Sequence, residues 1–168
     1  LRMFNVGDIV VYPAHGVSEV ESIESREIAG STISFFILKV LDTQMTVMVP
    51  VTNVENVGIR RLLDEKGIER VLDILKERSV PVDNQTWNRR YREYMEKIKS
   101  GSAFEIAEVL RDLNILKRGK ELSFGERKMY DTARNLLVSE IAISLKLDKK
   151  EVEKMLLEAM GKLEPQAE

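Results

Sequence analysis

The sequence predicts an α+β protein in which a small antiparallel β-barrel, residues 1–63, precedes an all-α domain of five helices, residues 64–168. Two observations lead to this prediction. Short runs rich in β-branched and aromatic residues recur about every ten residues in the first third, which leaves no room for crossover helices. From Asp64 onward the apolar residues recur with the period of a helix, and no long linker separates the two patterns.

Four predicted strands make up the N-terminal domain, and turn-forming residues separate them. Pro13-Ala14-His15-Gly16 and Ala29-Gly30-Ser31 supply two of the turns. Pro50 ends the fourth strand or marks it as an edge, because proline lacks the amide hydrogen that a central strand donates. The predicted strands are Ile9–Tyr12, Val17–Ile23, Ile33–Val40 and Met45–Val49. This spacing favours a barrel of the SH3-like or Tudor-like type.

Capping and helix-ending residues predict where the helices of the C-terminal domain begin and end. Ser79-Val80-Pro81 closes the first helix, because proline cannot continue it. Ser102 is predicted to cap the third helix, and Ser123-Phe124-Gly125-Glu126 has the pattern of a capping box before the fourth. Asp148, with a glutamate three positions on, repeats that pattern before the last helix, which Gly161 ends.

The second helix, predicted from a cap at Asn84 to Gly101, contains the only tryptophan. Its apolar stripe is Trp87, Tyr91, Tyr94, Met95 and Ile98, and its arginines are Arg89, Arg90 and Arg92. A cationic helix with a large aromatic residue in its first turn suits a nucleic-acid backbone with a base step to wedge open. Burial of the stripe in a core, with the arginines as a solvated rim, is the alternative that these residues leave open.

The composition excludes several kinds of site. The chain has no cysteine and one histidine, so thiolate metal sites, a cysteine nucleophile and a multi-histidine metal site are excluded. That histidine, His15, is interpreted as a turn residue. With no nucleotide-binding motif and no convergent set of acids, bases or nucleophiles, we expect neither enzymatic activity nor a cofactor. No apolar run has the length of a membrane span and no signal segment begins the chain, so we expect a cytoplasmic protein.

The charge distribution limits how the chain could bind nucleic acid. The net charge is −2, with 6 basic and 9 acidic groups in residues 1–66 and 20 basic and 19 acidic groups in residues 67–168. Because affinity for DNA increases with the number of phosphates neutralised, any DNA contact is expected to be local and weak by itself. Such a contact becomes useful when another part of the chain tethers it nearby.

An ordered set of motifs extends along residues 3–162. The motifs are Phe4-x-Val6-Gly7-Asp8-x-Val10-Val11-Tyr12-Pro13-x-x-Gly16, Val47-Met48-Val49-Pro50, Val57-Gly58-Ile59-Arg60, Trp87-x-Arg89-Arg90-Tyr91, Ala107-Glu108-Val109-Leu110-Arg111-Asp112-Leu113 and Leu122-Ser123-x-Gly125-Glu126-Arg127-Lys128-Met129. Together they resemble the CarD family (the CarD/CdnL group) of bacterial transcription regulators. The first motif also fits a KOW-like ribosomal or elongation-factor barrel, but the helical half excludes most of those proteins. The barrel resembles the polymerase-interacting domain of transcription-repair coupling helicases too, yet the chain has no motor motif.

The resemblance implies a non-enzymatic regulator that stabilises the open promoter complex of bacterial RNA polymerase. The barrel would bind the polymerase β subunit, partly by strand pairing, through Arg26, Met48 and Pro50. Some relatives have arginine at the position of Met48, so thioether packing would replace a salt bridge there.

The resemblance also implies that the helical domain contacts promoter DNA at the upstream edge of the transcription bubble, without sequence specificity. Trp87 would enter the minor groove, with an apolar contact from Met95. The phosphate-binding residues would be Arg89, Arg90 and Arg92. We expect a monomer that associates with the nucleoid through the polymerase. A polymerase-binding adaptor without direct DNA contact is the alternative.

Overall fold

The computed structural model describes residues 4–78 and 87–161, and at Trp87 and Asn88 it describes the backbone. The chain divides into two compact units, Leu1–Leu62 and Leu63–Glu168. Each unit contains a hydrophobic core of its own. No helix in the described ranges combines the length and the apolar character needed to cross a membrane.

The first unit contains a five-stranded antiparallel sheet. Its strands are β1 (Ile9–Tyr12), β2 (Gly16–Ile28), β3 (Ser31–Val40), β4 (Thr46–Pro50) and β5 (Arg60–Arg61), in the spatial order β4-β3-β2-β1-β5. The four predicted strands are confirmed, but β2 continues to Ile28 instead of ending at Ile23. Ala29 and Gly30, with φ angles of 52° and 81°, form the two-residue turn between β2 and β3. Both residues have the positive φ that a tight hairpin turn of this length favours.

The sheet does not close into the predicted barrel. Within the described part of the chain no ladder joins β4 to β5, so these two strands are the edges of an open sheet. The chain between them forms a 3-10 turn, Val51–Asn53, and a short helix α1, Val54–Val57. β5 itself has only two residues. The α+β class and the small antiparallel sheet are therefore confirmed, while the predicted closure of the barrel was wrong, because β4 and β5 do not pair in the described part of the chain.

One face of the sheet packs with α1 to form the core of the first unit. The core residues are Phe4, Val10, Val20, Phe36, Leu38, Val49, Val54 and Ile59. The rings of Phe4 and Phe36 meet edge to face, with their centroids 6.1 Å apart. Because side chains alternate between the two faces of a strand, this core also fixes which residues of β3 and β4 point the other way.

The second unit contains five helices among its described residues, as predicted. They are α2 (Glu65–Lys76), α3 (Trp87–Lys99), α4 (Ala103–Gly119), α5 (Phe124–Leu145) and α6 (Lys149–Ala159). The Ser102 hydroxyl caps α4, and Ser123 and Glu126 form the predicted capping box of α5. Asp148 caps α6 by accepting from the Lys150 amide, so the reciprocal pattern predicted there is not formed. The predicted cap at Asn84 lies outside the described residues.

The core of the second unit is built mainly between α4 and α5, with the other helices packed against them. Its most deeply buried side chains include Ala107, Leu110, Leu113, Leu137 and Ile141. The start of the unit is tied to α5 by two hydrogen bonds at Leu63. Its amide donates to Glu140 Oε2 at 2.8 Å, and its carbonyl accepts from the Ser144 hydroxyl at 2.7 Å.

Candidate functional site

The edge strand β4 is the first candidate interaction surface. It pairs with β3 and, within the described residues, with no other strand. An edge strand presents a row of backbone N–H and C=O groups that an extended segment of a partner can join. Pro50 is the last residue of β4, as expected for a proline that ends a strand or lies at an edge.

The three predicted polymerase-contact residues lie on one face of this sheet. Pro50 is paired with Phe35, and Met48 with Ile37. Arg26 is paired with Ile33, two residues before Phe35 on β3. Directly paired residues and residues two apart point to the same side of a sheet, so the three side chains share the face opposite the hydrophobic core. The register therefore brings together residues that are far apart in the sequence.

The shared face combines exposed charge with apolar surface. The guanidinium of Arg26 forms an ion pair with Glu24 at 3.2 Å, and both side chains are about half exposed. Met48 is 40% exposed, and Phe35 and Pro50 are partly exposed. An ion pair this exposed contributes little to stability and can exchange partners. The face is thus suited chemically to binding another protein.

Helix α3 is the second candidate surface, and its residues divide into two faces. Tyr94 and Ile98 are buried in the core, and Met95 is partly buried against it. Tyr91, predicted on the same stripe, is 43% exposed instead. Arg89 and Arg92 are exposed and Arg90 is partly buried. Trp87 is the first residue of the helix, and its side chain lies outside what the structure describes.

Contacts with α4 fix the orientation of α3. Lys97 Nζ donates to Glu108 Oε2 at 2.8 Å. Burial raises the pKa of Tyr94 to about 12, and the charge of Asp112 adds to this effect. The Tyr94 phenol is therefore protonated at neutral pH, and its ring is held in the core. With that side of the helix fixed, the exposed Arg89 and Arg92 remain accessible to a ligand.

A buried arginine ties the end of α2 to α4. Arg111 is 8% exposed, and its guanidinium binds Glu77 Oε2 at 2.7 Å and Asp112 Oδ1 at 3.0 Å. Burial raises the pKa of the Asp112 carboxyl, although the neighbouring Arg111 charge acts in the opposite direction. Glu77 is the last residue before Arg78 and the segment that leads to Trp87. Arg111 thus fixes the end of α2 against α4, just before the segment that leads to Trp87.

The start of α5 carries an exposed aromatic residue that lies within the capping-box sequence. Phe124, the first residue of α5, is 85% exposed. The charge of Glu126 contributes to the raised pKa of Tyr94, so the first turn of α5 lies within electrostatic reach of α3. Phe124 falls outside the apolar stripe of α5, and this position in the sequence already indicates that its side chain is exposed. Its exposure at the start of α5 makes it a further candidate contact for a ligand.

A metal site is not apparent in the described ranges, where no three histidine, aspartate or glutamate side chains are placed to hold an ion.

Comparison with known proteins gives matches over both units. Residues 4–63 match the family model of the CarD-like/TRCF RID domain, and residues 70–157 match that of the CarD C-terminal domain. YdeB of Bacillus subtilis (strain 168), whose name marks it as a candidate transcription factor, is 32% identical over 154 residues. That match covers 89% of this chain and 97% of the Bacillus protein. The solved structure of CdnLNt from Myxococcus xanthus is 42% identical, with a TM-score of 0.33, over 39% of this chain and 92% of that chain.

Proposed function

The chain belongs to the CarD family, and on that premise we propose that it is a transcription regulator that stabilises the open promoter complex. Its sheet binds the β subunit of bacterial RNA polymerase, and its helical unit contacts promoter DNA. The observation that carries the proposal is the separation of two surfaces on two compact units. One unit has an accessible edge strand and the other has a cationic helix.

Support for polymerase binding comes from the first unit. Its match to the RID family model covers the whole sheet. β4 offers its backbone to a partner strand, and Arg26, Met48 and Pro50 lie on one face beside it. Backbone pairing supplies affinity in such complexes, and side chains on the exposed face supply specificity.

Support for DNA contact comes from α3 and the start of α5. Arg89 and Arg92 are exposed for phosphate contacts, with Arg90 beside them, and Phe124 adds an exposed aromatic ring. Trp87 acts as the wedge at the upstream edge of the bubble, where it opposes re-annealing. Two or three phosphate contacts give weak binding alone. Attachment to the polymerase raises the local concentration of the helical unit to roughly millimolar, which makes a weak contact effective.

The test is the lifetime of a promoter open complex after addition of a competitor, with wild-type protein and Trp87→Ala. If Trp87 raises the barrier to bubble collapse by about 1.4 kcal/mol, collapse slows about tenfold. This tenfold increase in lifetime is expected to disappear in Trp87→Ala. Leu157→Ala, which removes an exposed apolar side chain on α6, is the matched control and should keep the full lifetime. Equal lifetimes for wild type and Trp87→Ala would exclude the wedge.

A polymerase-binding adaptor without DNA contact is the second candidate function. It is favoured by the net charge of −2 and by the burial of Tyr94 and Ile98, two members of the stripe predicted to begin with Trp87. Tryptophan fluorescence distinguishes the two functions, since Trp87 is the only tryptophan. A solvent-exposed ring emits at longer wavelength and is quenched readily, whereas the adaptor predicts a blue-shifted, protected ring.

A further inference from the structure

A cationic cleft lies at the corner between α4 and α5. It has a volume of about 630 Å³. Its cationic lining residues are Lys117, Arg118, Lys120, Arg127 and Arg134. Among the described residues, two acidic side chains, Glu121 and Asp131, share the lining. The cleft therefore has an excess of positive charge in a chain whose overall charge is negative.

The internal ion pairs of the cleft are long and partly solvated. Lys120 is 3.3 Å from Glu126, and Arg127 is 3.5 Å from Glu121. The side chains of Lys120 and Arg127 are 50% and 60% exposed. The Arg127–Glu121 pair is exposed on both sides and holds its partners weakly, so Arg127 can turn to a bound anion, whereas Lys120 stays paired with the buried Glu126 carboxylate.

Lys117 and Arg118 are positioned by contacts that do not neutralise them. Lys117 Nζ lies 5.3 Å from the centroid of the Tyr130 ring, and that ring is buried. Arg118 Nη2 donates to the Met160 carbonyl oxygen at 2.6 Å, which orients its guanidinium without supplying a negative charge. Both side chains thus contribute full positive charges beside the cleft.

Arg134 has a hydrogen-bonding capacity that its surroundings do not use. Its Nη2 is 3.3 Å from Asp131, and its guanidinium carbon is 6.0 Å from the Tyr130 ring centroid. Its Nε is buried and has no hydrogen-bond partner within the described residues. A guanidinium turned toward a phosphate would give Nε and Nη2 a shared bidentate acceptor. A carboxylate or a phosphate suits this fork of donors, and the five cations that line the cleft favour the more highly charged phosphate.

We propose that this cleft binds a small ligand carrying two or three linked phosphate groups, of the nucleoside polyphosphate or inorganic polyphosphate class. Its volume falls in the range of small-molecule sites, and its concave shape suits a compact anion better than the convex backbone of a duplex. Tyr130 and Leu122 also line the cleft but are largely buried, so the phosphates are expected to make the main contacts. The proposal does not depend on the promoter contact, because no α3 side chain that the structure describes lines the cleft.

The test is calorimetric titration of the full chain with inorganic triphosphate and, separately, with ATP. Saturable binding at one site is expected for at least one of them. Tighter binding of ATP would identify a nucleotide as the ligand class, and equal binding would identify the phosphates alone. Arg134→Lys keeps the charge but loses the fork of donors, and it should weaken binding about tenfold. Lys154→Gln, which removes an exposed charge on α6, should leave binding unchanged.

Absence of saturable binding for both probes would overturn the proposal. Equal affinity of wild type and Arg134→Lys would also overturn it. Since Arg134→Lys could perturb the packing around Tyr130, backbone amide NMR shifts provide an independent measurement on the wild-type chain. Triphosphate should shift amides of residues 117–122 and 127–134, and shifts centred on α3 instead would place the anion elsewhere and contradict the proposed site.

Discussion

The buried carboxylate of Glu126 caps the start of α5 and also pairs with Lys120. Its Oε1 accepts from the Ser123 amide at 3.0 Å and from Lys120 Nζ at 3.3 Å. Its own amide donates to the Ser123 hydroxyl. Burial by itself would raise the pKa of Glu126, but the bonds from Ser123 and the charge of Lys120 outweigh it and lower the pKa overall. The ionised form therefore stabilises the start of α5, beside Phe124.

Glu126→Gln is expected to lower the free energy of unfolding at pH 7 by roughly 1–2 kcal/mol, because it removes charge-assisted hydrogen bonds at a buried cap. A carboxyl with a lowered pKa in the folded state contributes its stability above the ordinary glutamate pKa, 4.5, and loses it as the pH falls through the lowered value. Urea unfolding of both proteins between pH 7 and pH 3 measures this. The difference between them should shrink below pH 4.5, and a constant difference would contradict the role of charge.

At the scale of elements, β4 combines an accessible edge with features that limit self-association. It has five residues and ends at Pro50, and short edge strands with proline are less prone to pair with copies of themselves. Of the apolar residues paired with it on the outer face, Phe35 is partly buried and Ile37 is buried. The edge and this face together form a surface on which a partner strand could bury apolar area.

Met48→Glu is expected to weaken binding to the polymerase β subunit by about tenfold or more, because it places a desolvated charge in an apolar contact. Thermal stability should change little, since Met48 is 40% exposed. Val6→Glu is the matched control, because it alters an exposed apolar residue of the same unit outside the sheet. Biolayer interferometry with immobilised β subunit gives both affinities. If the two variants bind equally well, Met48 is not part of the interface.

At the scale of the whole molecule, the division into two units is the feature on which the mechanism depends. Each unit has its own core, so each is expected to fold when separated from the other. The proposed activity nevertheless requires their covalent linkage. A helical unit with 20 basic and 19 acidic residues in positions 67–168 has little charge with which to bind DNA by itself.

Fragments 1–62 and 63–168, mixed at micromolar concentrations, should therefore fail to lengthen the open-complex lifetime that the intact chain lengthens. Micromolar mixing supplies roughly a thousandth of the local concentration that the linkage provides. Circular dichroism of each fragment confirms folding before the kinetic measurement. Full activity of the mixture would show that the tether is dispensable.

The sequence alone determined the features that depend on local chemistry. Ser102 and the pair Ser123 and Glu126 cap helices as predicted, because a side-chain oxygen within three residues of free amides needs no tertiary contact to bind them. The spacing of apolar residues likewise predicted the positions of most strands and helices. Residues 29 and 30 formed a tighter turn than predicted, and β2 was correspondingly longer.

Only the tertiary structure decided features that depend on residues distant in sequence. The register of β2, β3 and β4 puts Arg26, Met48 and Pro50 on one face, and a shift of one residue would separate them. Tertiary packing determines which members of the predicted α3 stripe are buried. Tyr91 is therefore exposed, although its spacing matches the stripe. The open sheet also depends on residues distant in sequence. Closure would require β4 to pair with β5, and no local sequence pattern encodes that pairing.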